Sequence, residues 1–236
     1  MLLHYDQEVE KLVGVLRKLP ADQRDDVVVR AKNQLEAERV KIEDLKKLFV
    51  SQIQTLKSRG CPKQILEMAY YSKTEVVQKA SRMTIIEGYI PFVGPVIPPA
   101  YLGYYGLMAM VRNRDNEGYV CLDPSRVTDK VETPEGLYWL YGVEDGEAML
   151  GKTPQNAEEA INKQGRFILT AAETMALCTH SNVLLRHYVD ATGSRYNGTD
   201  RVPFVYLDNG GCPNFNWHNV VANIPPEWGS PSCGSR

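Results

Sequence analysis

Residues 88–111 read Gly88-Tyr89-Ile90-Pro91-Phe92-Val93-Gly94-Pro95-Val96-Ile97-Pro98-Pro99-Ala100-Tyr101-Leu102-Gly103-Tyr104-Tyr105-Gly106-Leu107-Met108-Ala109-Met110-Val111, a run of 24 residues without a charge between Glu87 and Arg112. A helix that crosses a bilayer needs about 20 apolar residues in a regular backbone. Four prolines interrupt this run, and each removes a backbone donor and breaks helix. The longest proline-free piece, 100–111, is too short to span. The segment therefore reads as a proline-rich connector, largely extended, that crosses a protein core. It divides the chain into a helical arm, residues 1–84, and an α+β body, residues 85–236.

Upstream of the connector the pattern is helical. Residues 6–19 suit a short helix stopped at Pro20. A second helix starts near Ala21 and runs to about Ser58, with Gly60 as its terminator and Pro62 opening a third that reaches about Met83. In the long helix Val28, Leu35, Ile42, Phe49 and Leu56 recur every seven residues, whereas the companion row of Ala31, Glu38, Leu45 and Gln52 is only half apolar. A strong two-stranded coiled coil needs both rows, so the stripe is expected to pack on a neighbouring helix, on the body, or in a weak pair. In the third helix Ile65, Ala69, Val76 and Ala80 share a face.

Downstream the period shifts towards strands, at 118–122 and, most strongly, at 137–143. Thr153 with Pro154 behind it opens a helix that Gly165 ends. Thr170 and Glu173 have the spacing of a capping box for the next. Residues 202–207 form a late strand, and Pro203 points to its start or to a sheet edge. From Asp208 onwards Asn, Gly, Pro and Ser dominate, which predicts a loop-like tail carrying Trp217 and Trp228. The expected fold class is α+β: a helical arm followed by a small mixed or antiparallel sheet with packed helices.

Composition excludes several classes. A chain of 236 residues with 43% apolar and 24% charged residues buries a real core, so it is not a disordered tail, a collagen-like rod or a disulfide miniprotein. The net charge of −2 splits into +4 over residues 1–82 and −6 over the rest. A general nucleic-acid binder carries a strong basic excess, so the charge provides no strong nucleic-acid signal. The five cysteines at 61, 121, 178, 212 and 233 are odd in number and widely spaced. Reduced thiols in a cytoplasm are the expectation. The first residues, Met1-Leu2-Leu3-His4-Tyr5-Asp6, have neither the basic start nor the apolar run of a signal peptide.

Several strings together resemble an uncharacterised family of bacterial cytosolic proteins. They are Leu169-Thr170-Ala171-Ala172-Glu173, Gly193-Ser194-Arg195-Tyr196 with Val202-Pro203 after it, and the closing Trp228-Gly229-Ser230-Pro231-Ser232-Cys233-Gly234-Ser235-Arg236. Asp145-Gly146-Glu147 and the proline-rich segment fit as well. The resemblance covers about residues 85–236. It implies a folded bacterial protein and supplies no reaction.

Three constellations could carry chemistry. Cys178, His180, Cys212 and His218 are potential zinc ligands, since thiolate and imidazole both bind divalent metals. However, a Cys-x-His pair lies about 200° apart on a helix, so the chain would have to leave the helix to present both to one ion. The structural alternative is a core thiol and helix-terminal histidines. Cys233, flanked by Ser232 and Gly234 and near Arg236, is the most reactive-looking thiol. A nearby cation lowers a thiol pKa, and His218, His180 or His187 as base with Asp190 as orienting carboxylate would complete a cysteine-dependent site. Ser194, Arg195 and Arg236, in two Gly-Ser-Arg turns, are donors for a carboxylate or phosphate, or equally structural arginines. Tyrosines clustered around the connector and strand 137–143 read as core and rim packing or as a ligand groove. No nucleotide-binding glycine loop is present.

The leading functional expectation is a non-catalytic protein that binds a protein partner or itself through the N-terminal helices. The alternative is a small metal-binding or cysteine-dependent enzyme drawing on residues 178–195 and the tail.

Overall fold

The structure is a computed structural model that describes residues 20–84, 86–198, 200–219 and 225–236, together with Gly14, and the backbone alone for 21–26. The helix expected at 6–19 lies outside the described residues, Gly14 excepted, and so does Ile85. The chain forms two compact units, Met1–Asp44 and Leu45–Arg236. The sequence places a boundary near residue 84, but residues 45–82 contribute core to the second unit, where they bury Phe49, Leu56, Ile65, Ala69, Val76 and Ala80.

Helix α1 spans Ala21–Ser58. Gly60, at φ +82°, ends it as expected. The expected third helix is two: α2, Lys63–Tyr71, and α3, Lys73–Ser81. The break falls at Ser72. Its hydroxyl donates to the Ala69 carbonyl and accepts from the Trp139 indole at 2.9 Å. Such a side chain competes with the helical backbone.

The uncharged segment is only half extended. Strand β1, Ile90–Val96, is followed by helix α4, Pro99–Met110, which is kinked where Gly103 takes φ +64°. Strand β1 is buried from Phe92 to Val96, and α4 buries Tyr104, Leu107, Met108 and Met110 while Tyr101 and Tyr105 are exposed. Among the described residues no helix is long and apolar enough to cross a membrane. Short strands β2 (Arg112–Asn113) and β3 (Asn116–Glu117) form a hairpin. Strands β4 (Tyr119–Val120), β5 (Val127–Asp129) and β6 (Tyr138–Val143) follow, and β6 pairs antiparallel with β1.

Helix α5, Pro154–Lys163, begins where Thr153 Oγ1 accepts from the Asn156 amide at 3.3 Å. After β7, Phe167–Ile168, helix α6, Ala171–His180, carries both halves of the capping box. The remaining strands are β8 (Tyr188–Asp190), β9 (Ser194–Tyr196), β10 (Arg201–Leu207), β11 (Pro213–Asn219), β12 (Trp228–Gly229) and β13 (Ser232–Cys233). The principal sheet has five strands in the order β12-β8-β10-β11-β4, antiparallel around β10 and parallel at both margins. The fold class is α+β.

Two expectations give way here. Of the two places expected for Pro203, the sheet edge gives way: the proline lies near the start of β10, which is the central strand. Its carbonyl accepts from Ala191, just past the end of β8, so the donor it lacks would face a place where the ladder has already stopped. The loop-like tail is in large part sheet. In β11 buried Phe215 alternates with Asn214, Asn216 and His218, and all seven residues pair with β10. The alternation is that of a strand; polar residues on one face had disguised it.

Candidate functional site

The nominated thiol is enclosed. Cys233 in β13 is fully buried opposite Phe167. Burial first, and the Glu173 carboxylate second, push its pKa up to about 12. The sequence suggested the reverse, because Arg236 lies three residues away. That guanidinium instead forks onto Glu173, with Nε to Oε1 at 2.6 Å and Nη2 to Oε2 at 3.0 Å. Glu173 also accepts from the Tyr138 hydroxyl and, through the capping box, from the Thr170 amide.

The histidines are divided among separate settings. His180 closes α6 with neither ring nitrogen hydrogen-bonded. Burial, and then the Arg59 charge, push it down to about 3, so it is neutral. His187 donates from Nδ1 to its neighbour's carbonyl at 2.9 Å, and its Nε2 stands 4.0 Å from Asp145, an ion-pair distance and no hydrogen bond. Burial opposes charging this ring, but Asp145 and the Tyr188 carbonyl outweigh it and raise its pKa. Asp145 in turn pairs with Arg186.

Of the three histidines nominated as base, His218 is the one that meets Asp190. His218 Nε2 lies 2.7 Å from Asp190 Oδ1, across the sheet, while its Nδ1 faces the Asn219 carbonyl at 3.1 Å. Both ring nitrogens meet oxygen acceptors, which leaves no lone pair aimed at a substrate. Burial pushes the Asp190 carboxyl upwards against the pull of His218.

The proposed zinc ligands do not form one centre. Cys178 is in the core, burial raises its thiol pKa, and Cys212 sits in the β10–β11 turn with its amide on Asp208. Among the described residues no three His, Cys, Asp or Glu side chains group as metal ligands would. The Gly-Ser-Arg turns do converge, on the start of α6. Ser194 Oγ accepts from the Ala171 amide at 2.8 Å and donates to Asp129 at 2.5 Å. Arg195 binds the Thr192 and Ser194 carbonyls and Glu158. With Arg236 on Glu173, each nominated anion donor already holds a protein acceptor.

A polar cavity of about 470 Å³ opens elsewhere. It is lined by Arg59, Arg112 and Arg114, with Asn113, Ser181 and Asn182 and the apolar Leu184 and Leu185. No motif marks these arginines. Their signal in the sequence is the return of charge, Arg112-Asn113-Arg114, directly after 24 uncharged residues.

Residues 50–218 match the family of unknown function DUF5701. The chain belongs to that family. The match contains the cavity arginines, the α6 capping box and the Asp190–His218 pair, and it stops short of Cys233 and Arg236. No curated protein and no solved structure matches the chain.

Proposed function

We propose that the protein is a non-catalytic interaction protein of the bacterial cytoplasm that self-associates through its N-terminal helices. One observation carries this reading. In the first part of α1, Val29, Leu35 and Val40 are exposed, with Leu35 at 48% of its full accessibility. Leu35 belongs to the seven-residue row with Val28 and Ile42, and with its companion row only half apolar such a row supports a weak pairing of helices. Two further features favour the reading. The nominated thiol is buried and un-ionised, and the nominated histidines are neutral or held by acceptors, so these groups are poorly placed for chemistry. The five unpaired cysteines fit a reducing compartment.

Sedimentation of the full chain tests the proposal. Self-association that rises with concentration is expected, and Leu35→Glu should abolish it while thermal unfolding stays put, because the side chain is exposed. A wild-type chain that remains monomeric at high concentration, or a Leu35→Glu variant that associates equally well, would overturn it.

A further inference from the structure

The cavity beside the end of α4 is built for a negative charge. Arg59 donates from Nη1 to the Met110 carbonyl at 2.7 Å, and Arg112 donates from Nε to the Ala109 carbonyl at 3.4 Å. Both carbonyls belong to the last turn of α4, whose partial negative charge favours cations there. The two guanidiniums are thereby fixed before any ligand arrives, and most of their donors remain uncommitted, since a guanidinium has five. Arg112 also pairs with Glu117. Arg114 makes no ion pair or hydrogen bond among the described residues and holds φ +54° in the β2–β3 turn, a conformation unusual for a side chain of its size. Among the described residues the lining thus carries three positive charges and no acidic residue, and Glu117 is the single carboxylate paired to any of the three. Arg59 is half buried, and burial and the nearby charge of Arg112 both disfavour its protonation. Such a like-charge group is relieved by a dianion.

We infer that this cavity binds a small phosphate ester, with the phosphate held by Arg59, Arg112 and Arg114 and the organic part lying against Leu184 and Leu185. A phosphate monoester carries nearly two negative charges at neutral pH and three acceptor oxygens, and guanidinium forks match its geometry. The volume falls in the range of small-molecule sites. Leu185 is exposed and gives the esterified group an apolar surface that inorganic phosphate could not use. The inference is independent of self-association, since all of its residues lie within Leu45–Arg236.

Calorimetric titration of the full chain with phenyl phosphate, inorganic phosphate and benzoate tests it. Phenyl phosphate should bind at one site, more tightly than inorganic phosphate, and benzoate should bind at least about tenfold more weakly, for want of the second charge. Arg59→Gln and Arg112→Gln should each weaken phenyl phosphate by roughly tenfold or more, as expected for loss of a charge-assisted hydrogen bond. These two side chains also brace α4. Arg114→Glu is therefore the variant to rely on: it sits in an exposed turn, should unfold at the wild-type temperature and should lose binding. Lys63→Gln, on the exposed face of α2, should change nothing. Absence of saturable phenyl phosphate binding up to about 10 mM, wild-type affinity in Arg114→Glu, or equal affinity for benzoate would each overturn the inference.

Discussion

Helix α1 carries one apolar row through two settings. Val28, Leu35 and Ile42 fall within Met1–Asp44, where Leu35 is exposed and Val28 and Ile42 are partly so. Phe49 and Leu56 continue the row within Leu45–Arg236, where both are buried. Phe49 stacks on Trp139 at 4.8 Å, and Trp139 meets Phe92 edge-on. A seven-residue period thus shows which face of a helix is apolar and leaves open what covers it. In the second unit the cover is an aromatic cluster of this same chain. In the first, the proposal is that a second copy supplies it.

Substitutions along the row should separate the two settings. Phe49→Ala, which opens a cavity against Trp139, is expected to cost about 3–5 kcal/mol, read as a fall in the denaturant midpoint. A loss below about 1 kcal/mol would mean that the second half of the row is no more buried in solution than the first. Gln52, one turn further along, is expected to matter next. Its side-chain amide donates to the Phe92 carbonyl at 2.8 Å and accepts from the Gly94 amide at 2.9 Å. Gln52→Leu keeps the approximate bulk and leaves two buried backbone groups unpaired, at roughly 1–3 kcal/mol.

Acid should reach the second unit through Asp145. Burial disfavours its charge, but His187, Arg186 and the Glu147 amide outweigh that and hold its pKa at about 2. This is below the unfolded value of about 3.9, so the contribution is complete above pH ~4 and is lost as the pH falls towards 2. On the order of 1–2 kcal/mol should disappear over that interval, and Asp145→Asn should flatten the slope. His187 acts in the opposite sense. Its raised pKa stabilises fully below about 6.5 and fades as the pH climbs through the folded-state value. Leu35→Ala should have the smallest effect, within about 0.5 kcal/mol on unfolding, while still weakening self-association in sedimentation.

The elements that the sequence displayed most clearly were those with local causes. Thr153 and Thr170 capped their helices because an N-cap needs only its own first turn. Much of the uncharged segment does supply core, from Phe92 to Ile97 and on one face of α4, because its prolines bar a spanning helix and its apolar side chains need burial. Its second half nevertheless turned helical, since Pro99 opens a helix as readily as it breaks one. The sheet was harder to see. Only pairing with β10 explains β11, and only the point at which β8 stops explains Pro203. The sites followed the same rule. Asp190 and His218 were nominated together on residue type alone; they are 28 residues apart and meet through strand register. Cys233 was misjudged from Arg236, its close neighbour in sequence, which reaches past it to Glu173. The cavity arginines come from the end of α1 and from the β2–β3 hairpin, and α4 brings them together.

The amide of Gln52 behaves like one residue of a missing parallel strand. It takes the carbonyl of Phe92 and the N–H two residues on, the alternation a neighbouring backbone would use. Strand β1 has β6 along one margin, and on the other a helix side chain stands in for a third strand. An open margin of apolar β-structure invites a foreign chain to lengthen the sheet. At Phe92 and Gly94 that place is taken, so a single glutamine occupies the two backbone groups that an incoming strand would need there.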